Sequence, residues 1–204
     1  MRKVLYSIIL STCAYFCACN GVKNTEPEMP KYALSSLIDS CMDDVNATIN
    51  NDVKRSALAD TLKVKFQHYQ GKHLPYIDDL FFQYEMCMEY PKVFDSVADD
   101  NAGKYVVKFS LVNDKIADEY STTLQIFAII DKKSVATLVE GGTYHLDGLF
   151  RDFANSTQAT GFVLPSGKCI NAYPSVTSNS NGTPYINLGA LVLDSLSTSK
   201  VKLR

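Results

Sequence analysis

Hydrophobic and polar residues alternate in several separate segments, and this alternation constrains the fold more than any other feature of the sequence. A period of two residues is typical of β-strands that bury one face. Stretches rich in Gly, Pro, Asn and Asp separate the segments and indicate turns or loops between consecutive strands. The sequence predicts strands at residues 61–67, 82–90, 105–112, 122–130, 143–150 and 185–193, and a short apolar segment at 134–139.

One segment before these strands has a helical period instead. Hydrophobic residues recur every three or four positions over residues 33–50, and polar residues occupy the opposite face. The cluster at 50–52 (Asn-Asn-Asp) favours a cap or a turn, so this amphipathic helix is expected to end there, and a short second helix to follow at about 53–58. The hydrophobic positions are Leu34, Leu37, Ile38, Cys41, Met42, Val45 and Ile49.

The remaining segments look irregular. Residues 151–184 are rich in Ser, Asn, Thr, Gly and Pro, which predicts one long connection, and the polar residues 195–204 are expected to fray. A helix followed by consecutive strands predicts an antiparallel β-barrel or sandwich with the helix packed against it. The predicted fold class is mainly β, with a helical segment at 32–60 and a β domain at 61–204.

The first thirty residues have the pattern of an export signal. Arg2 and Lys3 give a positive start, and residues 4–18 are uncharged and mostly apolar. That run is shorter than the roughly 20 residues of a membrane-spanning helix, but it has the length of a signal-peptide core. Residues 19–31 are mostly polar and contain prolines, which predicts an unordered tether.

The junction Ala18-Cys19 resembles the cleavage site of bacterial lipoproteins, in which a small residue precedes the cysteine that becomes lipidated. This resemblance implies a signal peptide at 1–18 and a lipid anchor on Cys19. It places the protein at the bacterial cell envelope, at the outer membrane or the periplasmic face. Two alternatives stay open: a plain signal peptide, which would give a secreted protein, and an uncleaved anchor. Cys13 offers a competing lipidation site.

Three cysteines would remain besides Cys19 after cleavage. An odd number excludes a complete disulfide framework and leaves either one bridge with one thiol or three thiols. The three residues are Cys41, Cys87 and Cys169.

Several short motifs follow one another as they do in bacterial OB-fold proteins of the tRNA-anti-like group. Residues 69–72 (Tyr-Gln-Gly-Lys) resemble the motif that opens their barrel. Residues 124–148 resemble the strand, glycine turn and strand that follow, and residues 186–193 resemble the closing strand. Residues 73–103 depart from the pattern as a long insertion.

This resemblance implies a five-stranded, partly open Greek-key barrel with a ligand face on its second and third strands. In this chain that face would involve the strands at 105–112 and 122–130 and the loop at 151–184. A fold of this kind does not by itself specify a ligand.

Charge argues against nucleic acid as a partner. The formal net charge is −2, and cleavage before Cys19 would remove Arg2 and Lys3 and leave −4. Single-stranded nucleic acid instead favours a basic groove with aromatic residues for stacking. The nearest such group splits its aromatic and basic side chains between two strand faces; it comprises Lys104, Tyr105, Lys108, Phe109, Lys115 and Tyr120.

The motifs of serine hydrolases, β-lactamases, zinc peptidases and phosphate-binding loops are missing from the sequence. Adjacent carboxylates such as Asp78 and Asp79 do not face each other, so they are interpreted as solvated charges. His68, His73 and His145 lack the spacing of metal ligands. We therefore expect no catalytic residue, no metal and no cofactor.

These features predict a non-enzymatic envelope lipoprotein whose barrel is a protein- or peptide-binding module or a structural module. The partner would be an envelope protein or peptide, bound by aromatic residues expected on exposed loops or rims: Tyr76, Tyr120, Phe153 and Tyr173. The alternative is a small envelope hydrolase or inhibitor that uses the 151–184 loop, with four titratable groups as its candidates: His73, Asp78, Asp79 and His145.

Overall fold

A computed structural model of the chain describes residues 32–42, 44–90, 103–112, 121–154, 172–178, 182 and 184–201. The predictions about the signal peptide, the tether, Cys19, Tyr120 and Cys169 lie outside these residues. Within them the fold is mostly antiparallel β-sheet, with three helices ahead of the first strand.

Two short helices, α1 (Ala33–Ser40) and α2 (Val45–Ile49), lie where the sequence predicts one helix over 33–50. The Asp44 carboxylate accepts a hydrogen bond from the backbone N–H of Ala47 at 3.2 Å, and so caps α2. Aspartate favours N-caps over helix interiors. The prediction of one continuous helix is therefore wrong at this point.

Helix α3 (Asp52–Gln67) is longer than the helix predicted at 53–58. Its start agrees with the expected break, because the side chain of Asn51 accepts a hydrogen bond from the backbone N–H of Lys54 at 3.1 Å. The helix continues through 61–67, so the strand predicted there is wrong.

The burial of α3 gives the physical reason for that correction. Leu58, Leu62 and Phe66 recur every four residues and are all buried, as one face of a helix requires. Val64 also fits the period of two, but it is 64% exposed. The helical period therefore describes this segment, and the alternation was incidental.

Six strands and one further short helix follow α3. The strands predicted at 82–90, 105–112, 122–130, 143–150 and 185–193 are confirmed; the first four differ by at most three residues at either end, and the last continues to Lys200. A strand also lies inside the connection predicted at 151–184, and a helical turn occupies part of 134–139. The elements are β1 (Phe82–Glu89), β2 (Tyr105–Leu111), β3 (Ser121–Ile130), α4 (Lys132–Val135), β4 (Thr143–Phe153), β5 (Ser175–Ser178) and β6 (Pro184–Lys200).

The six strands form one sheet in the order β3-β2-β1-β4-β6-β5, and an additional pairing of β3 with β6 closes five of them into a ring. All pairings are antiparallel except β3 with β6, which is parallel. The prediction of a purely antiparallel sheet is therefore corrected at one pair. Strand β5 lies on the N-terminal part of β6.

Strand β6 reaches both β3 and β4 because it is long and contains a bulge. Its register against β3 shifts by one residue near Gly189, whose φ of +87° is in the left-handed region. The side chain of Asn187 accepts a hydrogen bond from the Gly189 N–H at 2.9 Å. A glycine bulge of this kind bends a strand and increases its twist.

The C-terminal part of β6 corrects, for residues 195–200, the prediction that residues 195–204 fray. Strand β6 continues to Lys200, which pairs with Tyr144 of β4. Backbone hydrogen bonds hold a strand irrespective of how polar its side chains are, so composition alone gave the wrong expectation.

The helices and the strands contribute to one hydrophobic core. Phe66 of α3 belongs to the same buried cluster as Phe82, Phe109 and Phe150 of the strands. The rings of Phe66 and Phe153 are 6.0 Å apart in an edge-to-face arrangement. Buried residues of α3 and of the strands therefore belong to one hydrophobic cluster.

Candidate functional site

Three of the four aromatic residues predicted to bind a partner are described, and their environments differ. Tyr173 is 47% exposed and Tyr76 is half-buried. Phe153 is only 1% exposed, so the expectation that it lies on an exposed rim is wrong. It is the last residue of β4, where it pairs with Leu191 and packs into the core.

The structure nevertheless links the described members of this set through a series of ring contacts. Phe66 lies 5.7 Å from Tyr76 and 6.0 Å from Phe153, centroid to centroid. Phe153 lies 5.5 Å from Tyr173, and Tyr69 lies 5.3 Å from Tyr76. We define the aromatic surface as Tyr69, Tyr76, Tyr173 and Lys63, which are connected by a chain of side-chain contacts through the buried rings of Phe66 and Phe153.

Tyr173 is held from two sides. The ammonium nitrogen of Lys63 lies 4.0 Å from the centroid of its ring, a cation–π contact. The preceding carbonyl, of Ala172, accepts a hydrogen bond from the N–H of Ala190 at 3.3 Å. An added Cβ at Gly189 would lie 2.6 Å from that carbonyl oxygen, so the close approach depends on glycine.

The side chain of Tyr76 is half-buried and forms a hydrogen bond with the side chain of Tyr69. Burial, together with a hydrogen bond to Tyr69, raises the pKa of Tyr76 to about 12. The phenol therefore stays protonated at any physiological pH. A protonated phenol cannot act as a general base, so Tyr76 offers none at physiological pH.

The outer face of β2 and β3 differs from what the resemblance implies. Its side chains form a second hydrophobic cluster with β6 and are buried: Val106, Phe127, Ile129, Ala154, Ala190 and Val192. Lys108 lies on the same face, is 6% exposed and pairs with Glu85 of β1 at 2.5 Å. The described part of this face therefore presents no open basic groove.

Burial also separates the basic from the aromatic residues that were considered as a nucleic-acid site. Phe109 points into the core and is fully buried, whereas Lys108 points outward and is neutralised by Glu85. Stacking and phosphate contact would need both kinds of side chain on one accessible surface. The described members of the group do not provide that surface.

A cluster of titratable residues lies on another part of the sheet. Nε2 of His73 is 3.0 Å from Oδ2 of Asp78, and its Nδ1 is 2.8 Å from Oδ1 of Asp147. His145 lines the same open cavity of about 360 Å³, and its Nδ1 lies 3.1 Å from the backbone oxygen of Leu80. The remaining lining residues are Leu146, Ser197 and Ser199.

Three of the four groups weighed for a hydrolase thus lie near one another, while Asp79 is outside this cavity lining. Asp147 was not among them. The hydrogen bond with Asp78 is the largest influence on the pKa of His73 and raises it; partial burial opposes this, and the charges of Asp78 and Asp147 raise it further, so that the pKa lies above its ordinary value of 6.5. Both ring nitrogens face carboxylates, so His73 has no free nitrogen with which to deprotonate a nucleophile.

The two cysteines that the structure describes are both free thiols, Cys41 and Cys87. Burial raises the pKa of the Cys87 thiol, which disfavours the reactive thiolate. In the described ranges no three His, Cys, Asp or Glu side chains group as metal ligands do. None of the helices described is long and apolar enough to cross a membrane.

Comparison with protein-family models, with curated proteins and with solved structures gives no match to this chain.

Proposed function

We propose that the chain is a non-enzymatic binding module that engages a protein or peptide partner through the aromatic surface. The observation that carries this proposal is Tyr173, which is half-exposed yet held by Lys63, Phe153 and the bulge of β6. Interface residues that contribute most to binding are often Tyr, Trp or Arg.

Pre-organisation is the reason to favour this surface over other exposed apolar positions. A side chain that is already fixed loses little conformational entropy when a partner covers it. Val53, Val64, Val139 and Leu149 are also exposed, but they are aliphatic and lack the ring contacts and the cation–π contact that hold Tyr173.

The scaffold that we propose is an OB-like barrel with the N-terminal helices packed against it. Five strands in the ring β1-β2-β3-β6-β4, the parallel pairing of β3 with β6, and a short helix between β3 and β4 support this assignment. The shared burial of Phe66 with the strand residues supports the position of the helices. Barrels of this class bind ligands on surfaces built from strands and rim loops.

We also propose that the module is a lipoprotein of the bacterial cell envelope, anchored through Cys19. The charged start, the short apolar run and the small residue before Cys19 support this location. Metabolic labelling with a palmitate analogue should mark the wild type and Cys13→Ala but not Cys19→Ala. Equal labelling of wild type and Cys19→Ala, or no label on the wild type, would overturn the anchor.

Affinity capture from detergent-solubilised envelope tests the binding role. Wild type and Tyr173→Ala are compared with Val139→Ala, a variant at a turn residue that is 50% exposed and lies outside the aromatic surface. A partner held by the wild type and by Val139→Ala should bind about 30-fold more weakly to Tyr173→Ala, as expected when a hot-spot residue is truncated. Equal capture by all three proteins would refute the proposed surface.

A further inference from the structure

The connection between α3 and β1 is attached to β4 by backbone hydrogen bonds. The N–H of Gly71 donates to the carbonyl of Phe150 at 2.7 Å, and the N–H of Phe150 donates to the carbonyl of Lys72 at 2.9 Å. His73 and Leu149 form an isolated antiparallel bridge at the same place. Residues 71–73 therefore run antiparallel beside β4 just before the chain turns towards β1.

The side chain of His73 adds a second contact between this connection and β4, beside the paired backbone. It lies between Asp78, later in the same connection, and Asp147 of β4, with one ring nitrogen at each carboxylate. Carboxylates only accept hydrogen bonds, so both contacts are satisfied only when both ring nitrogens carry protons. A neutral imidazole has one N–H and leaves one carboxylate facing an unprotonated nitrogen.

Few other charged groups face this imidazole. From β4, His145 lines the same cavity as Asp147, and from β6 the uncharged residues Ser197 and Ser199 line it. The ammonium of Lys72 lies 3.4 Å from the backbone oxygen of His68, at the end of α3. In the described part of the chain, the two carboxylates are thus the charges that respond to protonation of His73.

Tyr76 lies in the short segment whose ends, His73 and Asp78, are joined by this contact. His73 and Asp78 flank it in sequence, and its ring packs on Phe66 and on Tyr69. A change in the His73–Asp78 contact therefore acts on the short segment that places Tyr76 in the aromatic surface.

We propose that His73 is a pH-dependent latch that holds residues 73–78, and with them Tyr76, against β4. The latch is closed when the imidazole is doubly protonated and bridges Asp78 to Asp147. It loosens when the imidazole loses one proton. Any effect of the latch on partner binding rests on the proposed function. The latch itself is a property of the protein without a partner.

The direction of the pH dependence follows from the two carboxylates. They raise the pKa of His73 in the folded protein above 6.5. Stabilisation by the latch is complete below the pKa of the unfolded chain, and it is lost as the pH rises through the raised pKa of the folded state.

NMR titration of the imidazole signals tests the latch directly, because the chain has three histidines to assign. Asp147→Asn and Asp78→Asn should each lower the titration midpoint of His73 towards 6.5. Asp79→Asn changes a neighbouring exposed carboxylate and should leave that midpoint unchanged. An unchanged midpoint in Asp147→Asn would show that no bridge to β4 exists.

Amide hydrogen exchange tests whether the bridge holds the segment. The N–H of Ile77, which donates to the carbonyl of Leu74, should lose protection about two- to fivefold between about pH 5.5 and 8.5, after correction for intrinsic exchange, as expected of half-exposed ion pairs. His73→Gln should abolish this difference. The same loss in wild type and His73→Gln would overturn the latch. Neither readout needs a partner, so failure of the binding proposal would not affect them.

Discussion

The ammonium of Lys63 lies 4.0 Å above the ring of Tyr173, and this contact joins helix α3 to the segment before β5. The same ring packs on Phe153 at the end of β4. Three elements far apart in sequence therefore converge on one exposed tyrosine. The aromatic surface depends on this convergence, and its parts differ in what they contribute to stability and to binding.

Phe153 is a core residue, and its truncation should reduce stability strongly. Phe153→Ala removes a ring that contacts Phe66, Phe150 and Tyr173, so the free energy of unfolding should fall by about 3–5 kcal/mol. Tyr173→Ala, at a half-exposed position, should cost about 1 kcal/mol or less, on the scale of a surface cation–π contact. Urea denaturation followed by circular dichroism measures both. Equal losses would contradict the separation of core and surface.

Helix α3 makes a similar prediction for two neighbouring residues. Leu62→Ala should lower the free energy of unfolding by about 2–5 kcal/mol because Leu62 is fully buried. Val64→Ala should change it by less than about 0.7 kcal/mol, since Val64 is exposed and alanine favours helices. Chemical denaturation of both variants checks this. A large loss in Val64→Ala would favour a strand at 61–67.

Gly189 should tolerate alanine less well than a glycine of similar backbone conformation. Both Gly189 and Gly71 have positive φ, but only at Gly189 would a Cβ collide with the carbonyl of Ala172. Gly71→Ala should cost about 1–2 kcal/mol from the backbone alone, and Gly189→Ala about 1–3 kcal/mol more from the clash. Thermal and urea unfolding compare the two. Equal stability of the two variants would contradict the close approach of Gly189 to the carbonyl of Ala172.

The His73 latch predicts a pH-dependent contribution to overall stability. Because the folded pKa is raised, the wild type should exceed His73→Gln in stability below pH 6.5, and this advantage should vanish at higher pH. The half-exposed contacts limit it to about 0.2–1 kcal/mol. Unfolding of both proteins across this range measures the difference. An advantage that grows with pH would have the wrong sign.

The sequence predicts strands well where apolar residues are dense and turn residues bound the segment. Strands β2 and β3 appear at nearly the expected bounds, although consecutive residues are buried along part of each strand. The pairing of β3 with β6 joins residues such as Ile126 and Leu191, which are far apart in the chain and carry no local signal of contact. The segment 61–67 satisfied both periods, and Leu58, one turn earlier, was the sign that the helix continues.

The site was less predictable, for physical reasons that differ between residues. Register shifts in β4 place Phe150 and Phe153, three residues apart, both in the core. Phe153 was expected to be exposed because it falls in the connection predicted at 151–184, whereas β4 continues to this residue. Asp147 contacts His73 because the connection after α3 runs beside β4. No spacing in the sequence indicates this contact. Tyr173 was predicted from residue type, and no pattern in the sequence indicates its contact with Lys63.

The most direct test of the central claim is site-specific photo-crosslinking in intact cells. A photoreactive phenylalanine analogue replaces Tyr173 in one protein and Val139 in another, and adducts are identified by mass spectrometry. We predict a discrete adduct with one protein or peptide at position 173 that is missing at position 139. No adduct at position 173, or the same adducts at both positions, would contradict the assignment of the aromatic surface as the binding site.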